Sequence, residues 1–153
     1  MAMARRPFRL WRHDCEGTAA VEFALLAPVL VGILVAMIDL GIGITDKLEV
    51  ESAAAAGVQY AVANGWNSAG IAAAVTGSGS LITIAATPAP SESCGCPGSS
   101  GISAAGCGSV CPDGSTAGVY VTVGAQASYA PMLPYPGLAN PTLLAAQAMV
   151  RIR

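Results

Sequence analysis

A run of about 20 mostly apolar residues, Ala19 to Ile38, constrains this 153-residue chain more than any other feature. Its length suffices to carry a helix across a bilayer. Arg5, Arg6, Arg9 and Arg12 precede it, whereas Asp39, Asp46, Glu49 and Glu51 follow it. That asymmetry predicts an N-terminus in the cytoplasm and everything beyond about residue 40 on the far side. A secretory signal would have a shorter apolar segment, about 7–15 residues, ending at a small-residue cleavage site. This run is longer, contains Glu22 and Pro28, and continues into Asp-Leu-Gly-Ile-Gly, which favours a retained single-pass anchor.

The rest of the composition agrees. Charged residues make up only 10% of the chain, against about a quarter in ordinary soluble domains. The basic leader, residues 1–17, holds four arginines and two acids, so the remainder goes from net −2 to net −4. An acidic remainder argues against nucleic acid as a partner.

From Thr18 to about Asn64 the only strong helix breaker is Pro28, so residues 18–64 are expected to form one long helix, with the membrane span over about 19–38. Pro28 withholds a backbone donor and crowds the carbonyl of Ala24, which predicts a kink or local softening. Beyond the span, Leu40, Ile44, Leu48, Ala55, Val58 and Val62 recur at helical spacing, with Asp46, Lys47, Glu49 and Glu51 largely off that stripe. The stripe is expected to be the face that a sheet covers. Gly32 with Ala36, and Ala53 with Gly57, are small-xxx-small pairs suited to close helix contacts. Asn64-Gly65 stops the helix, and Asn67 or Ser68 caps a short second one through about Val75.

Three strands are expected in the head, residues 65–153: Leu81 to Ala86, the period-two run Val119 to Tyr129, and a terminal run from Leu144 to Ile152. The last also suits a helix over Leu143 to Met149, but Val-Arg-Ile-Arg alternates as a strand does. The expected fold is α+β, a long N-terminal helix packed on a small antiparallel sheet. Pro131 to Pro141 is a proline-rich connection carrying apolar side chains.

Cys15 lies in the leader, while Cys94, Cys96, Cys107 and Cys111 cluster in a Gly/Ser/Pro-rich loop, residues 88–116. Four cysteines on the oxidising side of a membrane predict two disulfides, with three possible connectivities. Cys94 and Cys96 are too close to bridge without strain, so bonds between the two clusters are favoured. Their role is structural, holding a stretch nearly devoid of core residues. Four thiolates could also bind zinc, but the spacing is not that of a familiar zinc ribbon, and no metal or other cofactor is expected.

Catalysis finds no support. The sole histidine, His13, is in the leader, and Glu92 and Asp113 are the only acids after Glu51. No nucleophile has a visible base, and the Gly-Ser runs lack the lysine of a phosphate-binding loop.

Chemistry concentrates instead in Gly-Thr-Ala-Ala-Val-Glu-Phe, residues 17–23. Gly17 leaves the following peptide bond open to close approach by a protease. Cleavage there would give Thr18 a cationic amine, and Glu22 lies one helical turn away, at the i,i+4 spacing at which groups meet. A carboxylate inside an apolar run costs roughly 2.5–3.5 kcal/mol on insertion scales and marks a functional candidate. Snorkelling of Glu22 to the interface is the simpler alternative. The glycine, the glutamate five residues on and Phe23 resemble the processing site of type IV pilin-like proteins. With the leader and Pro28, the phrase Gly-Thr-Ala-Ala-Val-Glu-Phe-Ala-Leu-Leu-Ala-Pro resembles the TadE/TadG-like pseudopilins of tight-adherence (Flp) pilus systems, most closely the short TadE-like members. The resemblance is specific over residues 5–64 and loose beyond, where the long Cys-rich stretch is atypical. It implies a minor pseudopilin of the bacterial inner membrane, cut by a prepilin peptidase between Gly17 and Thr18, with a periplasmic head and other pilin-like subunits and assembly proteins as partners. The alternative is an unprocessed, membrane-anchored periplasmic binding domain with a disulfide-stapled loop.

Overall fold

Alanine, leucine, valine and isoleucine without interruption by glycine pairs or strong polar breakers favour a continuous helix, and the computed structural model has one. It describes residues 17–99, 101–133, 137 and 141–153. Helix α1 runs Gly17–Asn64, with Pro28 inside it. The fold divides into two units at Met37/Ile38. In the first, the described residues are the opening stretch of α1, and none of them is buried.

The second unit begins within α1. Gly65, in the left-handed region at φ +77°, ends the helix, and its amide donates to the carbonyl of Ala61 at 2.9 Å. Helix α2, Ser68–Gly77, starts with Asn67, whose side chain accepts from the Gly70 amide. Four strands follow: β1 (Ser91–Gly98), β2 (Gly101–Ala104), β3 (Gly118–Tyr129) and β4 (Thr142–Arg151). They form one sheet in the order β2-β1-β3-β4, antiparallel throughout. The fold is thus α+β, with a long N-terminal helix and a small antiparallel sheet, and the terminal run is a strand, paired along its whole length with β3.

The sheet differs from expectation in two ways. Leu81 to Ala86 is not a strand: only Ala85 reaches the sheet, through an isolated bridge to Gln126. Its neighbours Ser80 and Leu81 are held by Glu49 of α1 instead, and Pro88, lying against Gly124, has no amide to extend a ladder. The Cys-rich stretch supplies the missing strands. Its residues have weak β-propensity, but the edge of β3 offers a ready ladder, which β1 fills from Ser91, opposite Thr122, to Gly95, opposite Gly118.

The core joins Val50, Ala53, Ala54 and Ala61 of α1, Ile71 and Val75 of α2, Ile84, and Val121, Val123, Ala125 and Ala127 of β3. Leu144, Ala146, Ala148, Val150 and Ile152 pack half-buried beside it. This is not the stripe that helical periodicity of large residues suggests. Of that stripe only Val58 packs against the core; Leu40, Ile44, Leu48, Ala55 and Val62 are exposed, and α1 turns mainly small residues to the sheet. Steric fit decides the matter. A Cβ on Gly57 would come within 2.7 Å of both Val123 Cγ1 and Val75 Cγ2. Around Gly57, a face of glycine and alanine lets the helix lie this close to a valine-lined strand, with the gain in contact that close packing brings.

Candidate functional site

The motif at the start of α1 lies on an open surface. Gly17, Thr18, Glu22 and Phe23 are all exposed, and Phe23 retains 68% of its surface. No side chain or remote backbone would meet a Cβ on Gly17, so its far-side peptide bond, into Thr18, is sterically accessible from the described residues. Residues 1–16 of the leader lie outside them, including Cys15, His13 and the four arginines. Thr18 and Glu22 sit one turn apart on α1. The helix carries the apolar character of the motif onward: its most apolar 18-residue window has a mean hydropathy of 2.5, and none of that window is buried. A helix this long and apolar is sufficient to cross a membrane.

In the second unit, α1 holds the rest of the fold with carboxylates and a lysine that periodicity would assign to solvent. Asp39 is 1% exposed. The Tyr129 hydroxyl donates to its carboxylate and lies 2.8 Å from its backbone carbonyl. The Met132 amide donates to Oδ1 at 3.0 Å and the Leu133 amide to Oδ2 at 3.4 Å. Gly43, one turn on, makes room for the phenol ring, which would lie 3.3 Å from a Cβ there. The end of β3 and the turn after it are therefore tied to α1 at Asp39. Residues 134–136 and 138–140 of the proline-rich connection lie outside the described residues.

Glu49 makes a second clasp. It accepts from the backbone amide and hydroxyl of Ser80 and from the Leu81 amide at 2.9 Å. The Leu81 amide above all, and then that of Ser80, hold its carboxyl below the usual carboxylate range. Lys47 donates to the Ala145 carbonyl of β4 and pairs with Glu51 at 3.4 Å. That exposed pair stabilises by a few tenths of a kcal/mol at most. Asp46 is 8% exposed on the same side of α1.

The cysteines pair between clusters, Cys94 with Cys107 and Cys96 with Cys111. The Cα separations, 5.1 and 5.6 Å, are ordinary for disulfides. Cys96 and Cys111 bury themselves with Ala117 in a small core of their own, against which Ala105 packs. Asp113 braces the adjoining turn: the hydroxyl and amide of Ser115 hold its carboxyl below the usual range, and Gly114 takes the left-handed φ of +80° that the turn requires. Among the described residues no group of three or more histidine, cysteine, aspartate or glutamate side chains is placed to hold a metal. A shallow groove of about 330 Å³ lies over Thr87, Pro88, Gln126, Ala145, Ala146 and Gln147, with no ionisable group in its lining.

An apolar, uncovered N-terminal helix, long enough to cross a membrane, that continues into a disulfide-braced α+β unit defines a class consistent with membrane anchoring. Within that class, residues 17–59 match the model of the TadE-like protein family, the family whose opening the sequence resembles. The match covers most of α1 and stops short of α2 and the sheet. No curated protein and no solved structure matches the chain significantly.

Proposed function

We propose that this chain is a minor pseudopilin of a bacterial tight-adherence pilus machine, processed by a prepilin peptidase between Gly17 and Thr18. One observation carries the reading: the Gly17–Glu22 motif opens an uncovered apolar helix, and the TadE-like family match begins at that same glycine. In this role the protein acts by assembly rather than catalysis. The leader stays in the cytoplasm, α1 sits in the inner membrane, and the disulfide-braced unit faces the oxidising periplasm. The new Thr18 amine pairs with Glu22 of the same chain or of a neighbouring pilin-like subunit, offsetting the cost of a carboxylate in lipid. Leu48 and Val62, large side chains that α1 leaves exposed, are available for contacts with other helices.

Intact-mass analysis tests the processing step. Expressed with a matching peptidase, the membrane fraction should yield a chain of residues 18–153, and Gly17→Leu should yield the full-length chain, still inserted. Full-length wild-type protein as the sole product would sink the proposal. Glu22→Ala should insert normally yet reduce surface pili; undiminished piliation would leave Glu22 without an assembly role.

A further inference from the structure

The charge pattern of the sequence ends the membrane span at Ile38, because Asp39 follows. The fold removes that boundary. Between Phe23 and Thr45 the only ionisable side chain is Asp39, and it is 1% exposed, covered by Tyr129 and the turn after β3. What α1 presents outward past this point is apolar: Leu40 is 65% exposed and Ile44 53%. Even the Thr45 hydroxyl is satisfied internally, donating to the Ile42 carbonyl at 2.7 Å, as hydroxyls in apolar helices do. The uncharged accessible surface therefore runs from Phe23 to Thr45, about 34 Å of helix at 1.5 Å per residue. That matches a hydrocarbon core of about 30 Å and the beginning of its headgroup layer.

We infer that the bilayer covers α1 from about Phe23 to Thr45, and that the turn following Tyr129 is seated in the outer headgroup layer of that membrane. The inference rests on α1 spanning a membrane. This register puts Glu22 at the inner edge of the hydrocarbon, where a carboxylate reaches water at lower cost than at the bilayer centre. It also gives the Asp39 clasp a purpose beyond packing. A bare carboxylate at that depth would be costly, whereas one satisfied by a tyrosine hydroxyl and two backbone amides is not. The clasp in turn fixes the level of the turn beside it. Met132, 64% exposed, is held next to Asp39 with no charged neighbour from Tyr129 to Leu133, which suits the wet, mixed environment of lipid headgroups. Tyrosine at such a level is the residue type that membrane interfaces favour.

Tryptophan fluorescence in the full chain tests this. In a Trp11→Phe/Trp66→Phe background, Leu30→Trp, Ile44→Trp and Met132→Trp each report one depth, and a Trp11→Phe chain retaining Trp66 reports the distal end of α1. Each is reconstituted in phosphatidylethanolamine/phosphatidylglycerol vesicles doped with phosphatidylcholine brominated either near the headgroup or near the chain ends. Non-reducing peptide mapping verifies that both disulfides have formed in every variant. Leu30→Trp should lose emission most to deep bromines, Ile44→Trp and Met132→Trp most to shallow ones, and Trp66 to neither. Quenching at Leu30→Trp with none at Ile44→Trp and Met132→Trp would overturn the deep seat and leave the anchor standing. Blue-shifted but unquenched emission at the last two would mean that protein rather than lipid covers them, which also overturns it. No quenching even at Leu30→Trp would remove the membrane-spanning reading itself.

Discussion

The stretches of α1 on either side of Met37 are both rich in apolar residues, yet they use them in opposite ways. Up to Met37 no described residue is buried, and Phe23, Leu25, Leu26, Leu30 and Leu34 stand uncovered. Beyond it the buried positions are Asp39, Asp46, Val50, Ala53, Ala54, Gly57 and Ala61, while Leu40, Ile44 and Leu48 remain outside. Hydrophobicity therefore does not select the face that meets the sheet. Small size does for the most part, with Val50 the exception and with Asp39 meeting donors that hold its carboxylate. Most of the large apolar side chains of the helix, Val50 and Val58 apart, are left for whatever surrounds the protein.

The sharpest way to break this contrast is to enlarge one small residue in each stretch. Gly57→Val places atoms where Val123 and Val75 already lie within 2.7 Å of the missing Cβ. Overpacking of this kind costs about 3 kcal/mol, which lowers the melting temperature by roughly 10 °C for a unit of this size. Gly32→Val meets nothing within 4 Å and should leave the melting temperature unchanged in detergent. Equal effects, read by thermal unfolding of the two variants, would mean that the small-residue face is not what packs.

A second comparison sets two carboxylates of α1 against each other. Asp39→Ala takes the carboxylate from the Met132 and Leu133 amides in a covered site, while the Tyr129 hydroxyl keeps the Asp39 backbone carbonyl, at a cost of about 2 kcal/mol. Glu22→Ala alters an exposed side chain in the first stretch and should not move the denaturation midpoint of the second unit at all. Urea titrations of both variants check this. A drop caused by Glu22→Ala would show that the motif contributes to folding and not to assembly alone.

Much of the fold was legible in the sequence. The helix from Thr18 to Asn64, its stop at Gly65, the cap at Asn67 and the period-two runs that became β3 and β4 all follow from local residue chemistry. The bonding of one cysteine cluster to the other follows from how short the Cys94–Cys96 spacing is. What stayed hidden depends on partners remote in sequence. Ser-Glu-Ser-Cys-Gly-Cys-Pro-Gly has no strand signature, and it becomes β1 because the edge of β3 and two disulfides impose the conformation. The packed face of α1 was masked because its large and small apolar residues alternate around the whole helix, so spacing alone favoured the larger ones. Asp39 carries no local sign that Tyr129, ninety positions on, will cover it. A tyrosine at the end of a strand followed by an uncharged, proline-rich turn was the only available hint.

The smallest expected effect belongs to Glu49 and is one of pH. The amides of Leu81 and Ser80 hold its carboxyl below the ordinary value of 4.5, so the ionised form is favoured in the folded state. A carboxyl depressed by folding adds stability that is complete above its unfolded pKa and is lost as pH falls through the folded one. Glu49→Gln keeps the shape of the side chain without its charge. At neutral pH the wild type should therefore melt slightly above Glu49→Gln, and the gap should close as pH drops below about 4.5, where both side chains are neutral. A gap for Glu49→Gln that persisted unchanged into strong acid would mean that the carboxylate's charge does not hold the Ser80–Leu81 turn, and that shape alone makes the clasp.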